Sequence, residues 1–266
     1  MEPAVAIEGL VRTFGATRAV DGVDLEVAEH QVFGIVGPDA AGKSTLMRLA
    51  VGVLAPDSGR VRVAGKDVHR ERDAARGLLG YMSQAFSLYR DLTVTENIWF
   101  FATLRGVSRA DRKARSARLL EATGLAPFTG RRAGQLSGGM KQKLRLICIF
   151  VHEPRVLFLD EPTNGVDPVS RHEFWEILGE LRQRVTVVVT TPSLDEAERC
   201  DRVALMSGGR MLAVDTPEGL RGTVDDPVWE VATERPFDAA LALEKAFPQA
   251  TVQLFGDRVH VVVGAE

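Results

Sequence analysis

The 266-residue sequence is poor in cysteine: Cys148 and Cys200 stand far apart and fit no metal-ligand spacing. Cys148 sits inside the apolar run 146–151, which reads as a buried free thiol in a reducing compartment. An excess of basic charge is missing as well. Thirty-three Lys and Arg against 36 Asp and Glu leave a formal net charge of −3, with the cations spread along the chain, so no nucleic-acid partner is expected. No apolar run approaches the ~20 residues that cross a bilayer. The start, Met1-Glu2-Pro3-Ala4, has no cationic segment followed by an apolar one, so no signal peptide is expected. Action at a membrane would need other polypeptides to span it. Repeats and low-complexity tracts are lacking too.

What is present suits one large domain with a small appendage: 45% of residues are apolar and 26% charged. Over 4–36 the pattern reads as strands, with Val5, Ile7 and Gly9 alternating with Ala6, Glu8 and Leu10, and Val23, Leu25 and Val27 alternating with Asp24 and Glu26. Val32–Val36 reads as a buried strand entering a glycine-containing loop, and a helix is expected from Lys43 to about Leu54. Between about 88 and 152 the pattern turns helical: Thr93–Glu96 is a capping box opening a helix through Leu104, with further helices at Asp111–Thr123 and Met140–Val151. Strand and helix then alternate as Val156–Asp160, Pro168–Arg182, Val185–Thr190 and Arg202–Met206. Such alternation implies a parallel sheet covered on both faces. The expected domains are 1–222, containing the helical insert, and an α+β appendage at 228–266 with a helix at Phe237–Phe247 and strands at Thr251–Phe255 and Arg258–Val263.

The chemistry begins at Gly37-Pro38-Asp39-Ala40-Ala41-Gly42-Lys43-Ser44, a phosphate-loop pattern between a buried strand and a helix. Successive backbone N–H groups and a helix N-terminus surround phosphate oxygens, Lys43 adds a point charge, and the Ser44 hydroxyl can ligate Mg²⁺. Val156–Asp160 ends in a carboxylate and is followed by Glu161. By itself an apolar run ending in Asp-Glu is ordinary. Paired with the loop, it puts Asp160 where it can hold Mg²⁺ through water, and Glu161 where it can act as a general base.

The deciding element is Leu136-Ser137-Gly138-Gly139-Met140-Lys141-Gln142, which resembles the signature of ABC (ATP-binding cassette) ATPases. Its helix start, with Ser137 and the amides of Gly138 and Gly139, can hold a γ-phosphate. Lying in the insert, it cannot easily fold back onto its own phosphate loop. Over about 4–220 the chain resembles ABC-2, drug-resistance-type exporter ATPases, nearest the first half of tandem members that carry two halves in one polypeptide. The resemblance implies a P-loop NTPase α/β fold with a parallel-sheet core, an antiparallel β subdomain and a helical insert, with ATP and Mg²⁺ as cofactors. It places Thr45 with the phosphate loop, Phe14 as an aromatic stacking on adenine (a core phenylalanine being the competing reading), and Gln84 as a Mg²⁺-sensing catalytic glutamine. Asp167, within Asn164-Gly165-Val166-Asp167, is implied to cross a dimer interface, unless it is only a helix cap. The implied partners are a second ABC ATPase domain, as a homo- or heterodimer, and an integral membrane permease docked near 86–101, at Phe86, Leu88 and Tyr89. The implied location is cytoplasmic, peripheral on the inner face of the cell membrane.

Three departures from the family pattern matter. Pro192 stands where a histidine is expected after the strand 185–190, and proline offers neither a side-chain donor nor an N–H. Ala40 replaces a glycine at a position that calls for positive φ, and Asp39 brings negative charge close to phosphate. ATP is therefore expected to bind and to be hydrolysed slowly at this chain's own site. A soluble repair or translation ATPase would need a long coiled-coil insert or basic linker, for which 85–135 is too short and too mixed in charge. A non-enzymatic ATP-binding regulator is the other alternative that Pro192 leaves open.

Overall fold

The computed structural model describes residues 2–85, 87–222 and 228–263. It divides into two compact units, Met1–Pro217 and Glu218–Glu266.

In the first unit β1 (Val5–Phe14), β2 (Thr17–Val27), β4 (Ser58–Val63) and β5 (Lys66–Asp67) form an antiparallel sheet in the order β2-β1-β4-β5. The inward face of β2 is Val23, Leu25 and Val27, as the alternation predicts. In β1 the expected alternation fails at Gly9. Its φ is +53, its N–H donates to Asp24 Oδ1 at 2.7 Å, and the pairing register shifts between Ile7 and Leu10. This bulge puts Leu10, not Gly9, in the core.

The larger sheet has the order β10-β9-β3-β8-β7-β6, from β3 (Val32–Val36), β6 (Leu79–Met82), β7 (Val156–Asp160), β8 (Thr186–Thr191), β9 (Arg202–Ser207) and β10 (Arg210–Asp215). It is parallel except for the β9–β10 hairpin. Strands β3, β7 and β8 are buried along their whole length, which is why they read as continuous apolar runs. Because β8 lies between β3 and β7, the loop leaving β3 and the carboxylates ending β7 flank the same strand end, with Val36 opposite Thr191 and Asp160 opposite Thr190.

Helix α1 (Lys43–Ala50) is shorter than the expected run to Leu54. Gly52 takes φ +72, its N–H donates to Leu49 O, and Val53 N–H donates to Arg48 O. These paired bonds close the helix a turn early. Leu46, Met47 and Leu49 are buried in a core shared by both sheets, with Phe33, Ile35 and Phe158 of the larger and Val61 and Val63 of the smaller. Helix α2 (Arg72–Leu78) precedes β6.

The insert lies between β6 and β7 and holds α3 (Val94–Leu104), α4 (Arg109–Ala122) and α5 (Gly138–Phe150). The capping box at Thr93 and Glu96 is formed. Asn97, fully buried, donates to the carbonyls of Tyr89, Leu92 and Thr93 and accepts from Tyr89 N, which pins the loop before α3 to that helix. Both cysteines are buried and free, and burial pushes the Cys148 thiol up, leaving it inert. Helices α6 (Pro168–Leu181) and α7 (Leu194–Ala197) belong to the first unit, and α8 (Pro217–Arg221) opens the second. There β11 (Val228–Ala232), β12 (Thr251–Phe255) and β13 (Arg258–Val262) pair in the order β11-β13-β12. Helix α9 (Pro236–Ala246) packs on them through Ala240 against Val259 and Val261. No helix among the described residues is long and apolar enough to cross a membrane.

Candidate active site

The loop after β3 requires glycine at its two ends. A Cβ on Gly37 would sit 2.0 Å from Met206 O, and one on Gly42, at φ +103, would sit 2.2 Å from Ala19 O. Both glycines let neighbouring backbone close against the loop. Ala40 holds φ +62, so the sequence has put a side chain where the conformation favours glycine. Gly42 is the N-cap of α1, which aims that helix's free N–H groups into the loop. Lys43 is 4% exposed, and its Nζ donates to Gly37 O at 2.7 Å and Pro38 O at 2.9 Å.

The carboxylate pair comes from the end of β7. Asp160 is 1% exposed, and its Oδ1 accepts from Ser44 Oγ at 3.0 Å and Thr190 Oγ1 at 2.8 Å. Its Oδ2 is buried without a hydrogen-bond partner. An orphaned buried carboxylate oxygen beside a serine hydroxyl fits Mg²⁺, a hard cation that takes oxygen ligands. Glu161 has φ +48; its N–H donates to Thr190 Oγ1 at 3.0 Å, and its carboxylate lies 3.8 Å from Lys43 Nζ and accepts from Asn164 Nδ2 at 3.3 Å. Burial and the charge of Asp160 push the nearby Tyr81 phenol up to about 12, keeping it neutral.

The phosphate loop and Glu161 share one cleft of about 690 Å³, lined by Thr17 to Ala19, Asp39 to Thr45, Gln84, Glu161, Asn164, Gly208 and Gly209, while Asp160 is buried and bonded to Ser44 on its wall. The volume suits a nucleotide-sized ligand. Gln84 stands in an exposed turn after β6, on the cleft wall. Phe14 is 49% exposed at the end of β1, with the Arg12 guanidinium 4.9 Å from its ring centre, so it is no core residue; it lies outside the cleft lining.

The signature residues are not brought to this cleft. Ser137 caps α5, its Oγ accepting from Met140 N at 3.2 Å, and Gly139 packs where a Cβ would meet Ser170 Oγ at 2.2 Å. Gly138 lines a separate hollow of about 360 Å³ with Arg90, Lys141 and Arg145. Asp167 caps α6, accepting from Ser170 N at 3.0 Å, and remains exposed. Pro192 lines a small pocket of about 70 Å³ together with Glu161, Asn164 and Ser193. Tyr89 is exposed and packs edge-on to Phe100, Leu88 is half-buried, and Phe86 lies outside the described residues.

Sequence reading missed Thr190, which holds both carboxylate residues, and named Asn164 only as part of the Asp167 loop, not as a partner of Glu161. A hydroxyl closing the apolar run 187–189 was the available signal for Thr190. Nothing local marked Thr17, Arg18 or Gly208 and Gly209, which reach the loop from β2 and from the β9–β10 turn.

A phosphate loop on one central strand, a buried carboxylate pair on another and a signature-capped insert define an ATP-binding cassette ATPase. The chain belongs to the ABC transporter family, whose model matches residues 20–164 and whose members are ATP hydrolases. It is 48% identical over 226 residues to the probable multidrug ABC transporter ATP-binding protein YbhF of Escherichia coli K12, covering 84% of this chain and 39% of that protein's length. It is 41% identical to the daunorubicin/doxorubicin resistance ATP-binding protein DrrA of Streptomyces peucetius, covering 85% of this chain and 70% of DrrA. The ADP conformation of MJ1267, an ATP-binding cassette of an ABC transporter, superposes with a TM-score of 0.76 at 26% identity, over 85% of this chain and 96% of that one. Both curated relatives are thus ATP-binding proteins, one of a probable multidrug ABC transporter and one of drug resistance.

Proposed function

We propose that this chain is the ATP-binding, ATP-hydrolysing subunit of an exporter, and that it works as half of an ATP-held pair against a membrane permease. The observation that carries this is the separation of parts. The cleft contains the phosphate loop and Glu161 but not Ser137, Gly138 or Gly139, which supports a second ABC ATPase domain presenting its signature to enclose the triphosphate. ATP lies along Gly37 to Thr45, with Lys43 turning from the loop carbonyls to phosphate oxygens and Phe14 stacking on the base. Mg²⁺ held by Ser44, Asp160 and Gln84 would neutralise phosphate charge. Glu161 takes a proton from water as its oxygen attacks the γ-phosphorus; the bond to the β-phosphate bridging oxygen breaks, giving ADP and phosphate. Binding of nucleotide stabilises the closed pair by mass action, and loss of the γ-phosphate lets it open. Exporter activity rests on the likeness to YbhF and DrrA. So does the location, peripheral on the inner face of the cell membrane.

Pro192 puts no donor beside Glu161, so this chain's own site turns over slowly while its intact Ser137-Gly138-Gly139 completes the partner's site. The core reading is tested by phosphate release from the purified chain under single-turnover conditions. Glu161→Gln is expected to lower that rate at least ~100-fold while leaving MgATP affinity within about twofold, as for loss of a general base. An unchanged rate would remove Glu161 from the chemistry.

A further inference from the structure

Behind the Glu161 turn lies a buried acid that the chemistry above does not use. Glu196, on α7, is 4% exposed. Its Oε1 accepts from Thr163 Oγ1 and its Oε2 from Thr191 Oγ1, both at 2.5 Å, and the two threonines are 3% and 1% exposed. Arg171 Nε stands 3.5 Å from Oε1, at ion-pair range. A buried carboxylate is costly, and two short hydroxyl bonds with one partly exposed guanidinium are an expensive way to fill that space.

Its location gives the reason. Thr163 is two residues beyond Glu161 in the turn leaving β7, Thr191 ends β8 immediately before Pro192, and Arg171 lies in the first turns of α6. Successive β8 residues thus grip the turn from opposite faces. Thr190 holds the Glu161 N–H and Asp160, while Thr191 and Glu196 hold Thr163. Glu161 needs that grip because its φ of +48 is unfavourable for a residue with a Cβ. Such a conformation persists only where its surroundings over-determine it.

We propose that Glu196 is a positioning residue for Glu161: by bolting Thr163 to Thr191 it fixes the direction in which the Glu161 carboxylate enters the cleft. The proposal rests on the reading of Glu161 as general base. Because position 192 offers no donor to orient that carboxylate, the hold from behind carries more of the alignment.

The test compares Glu196→Ala and Glu196→Gln in the full chain, reading MgATP Kd and single-turnover phosphate release. Glu196→Ala is expected to slow release at least ~10-fold with Kd within about twofold, and Glu196→Gln, which still pairs both threonines, to stay within about threefold of the parent. Glu196→Ala added to Glu161→Gln should slow the residual rate no further, since it acts through Glu161. Should Glu196→Ala not fold, Thr163→Val, which removes one hydroxyl at constant volume, is expected to slow release several-fold at unchanged Kd. A Glu161-dependent rate indifferent to these changes overturns this proposal alone, as does an equal loss in the Glu161→Gln background or a parallel loss of nucleotide binding. A parent rate indifferent to Glu161→Gln overturns both this and the hydrolytic reading.

Discussion

Lys43→Ala is expected to raise the Kd for MgATP at least ~100-fold, because Nζ, which now donates to Gly37 O and Pro38 O, would turn to phosphate oxygens, and a charge-assisted hydrogen bond is worth about 1.5–3 kcal/mol. The electrostatics of the cleft sharpen the expectation. Its lining offers Lys43 and Arg18 as cations against Asp39 and Glu161, and Arg18 is already engaged with Asp21 at 2.8 Å. Without Lys43 the charged side chains of the lining would be Asp39, Glu161 and the already engaged Arg18, a poor setting for a polyanion. Titration with a fluorescent ATP analogue in Mg²⁺ measures the effect. The melting curve of the variant checks that loss of the bonds to Gly37 O and Pro38 O has not opened the fold. Retained affinity in a folded variant would mean that the nucleotide sits elsewhere.

The second large effect is a gain. Pro192→His is expected to raise Glu161-dependent phosphate release about 10²-fold, the size commonly seen when one preorganised transition-state donor is added or removed. Position 192 shares its small pocket with Glu161 and Asn164, so an imidazole there would face the same pocket as the carboxylate it is expected to orient. The exposed position tolerates the change, and the neighbouring bond from Ser193 N to Thr191 Oγ1 does not involve the 192 side chain. Stopped-flow detection of phosphate reads the rate. No increase would show that Pro192 does not limit turnover, and slow turnover would need another cause, with the loop substitutions Asp39 and Ala40 the first to examine.

Much of the architecture was legible because the parallel strands are buried on both faces and read as unbroken apolar runs, Val32–Val36 and Val156–Asp160 above all. The capping box at Thr93 was equally clear, since both halves of it are local in sequence. Where the outcome depended on partners distant in the chain, sequence patterning was weaker. The Gly9 bulge exists because Asp24 of the neighbouring strand captures its N–H, and the α1 stop depends on a left-handed Gly52 that helical periodicity runs through. Strands β4, β6 and β10 are short or half-exposed and gave little pattern. At the site, the residues that bear charge announced themselves by motif. Those that hold them, Thr190 and the Thr163–Glu196–Thr191 group, are spread over three elements and become visible only when β7 and β8 lie side by side. Phe14 is the reverse case: sequence could not tell a core ring from a stacking platform, and exposure excludes the first.

The central claim is that triphosphate is enclosed at a seam to which each of two ATPase domains contributes half. Sedimentation velocity on the Glu161→Gln chain, run with MgATP and without it, tests this most directly. An ATP-dependent shift to a dimer, abolished both by Lys43→Ala and by Ser137→Arg, is the predicted result. A Glu161→Gln chain that binds MgATP tightly yet sediments as a monomer, alone and when mixed with a cognate ATPase domain carrying an intact phosphate loop, would contradict the account.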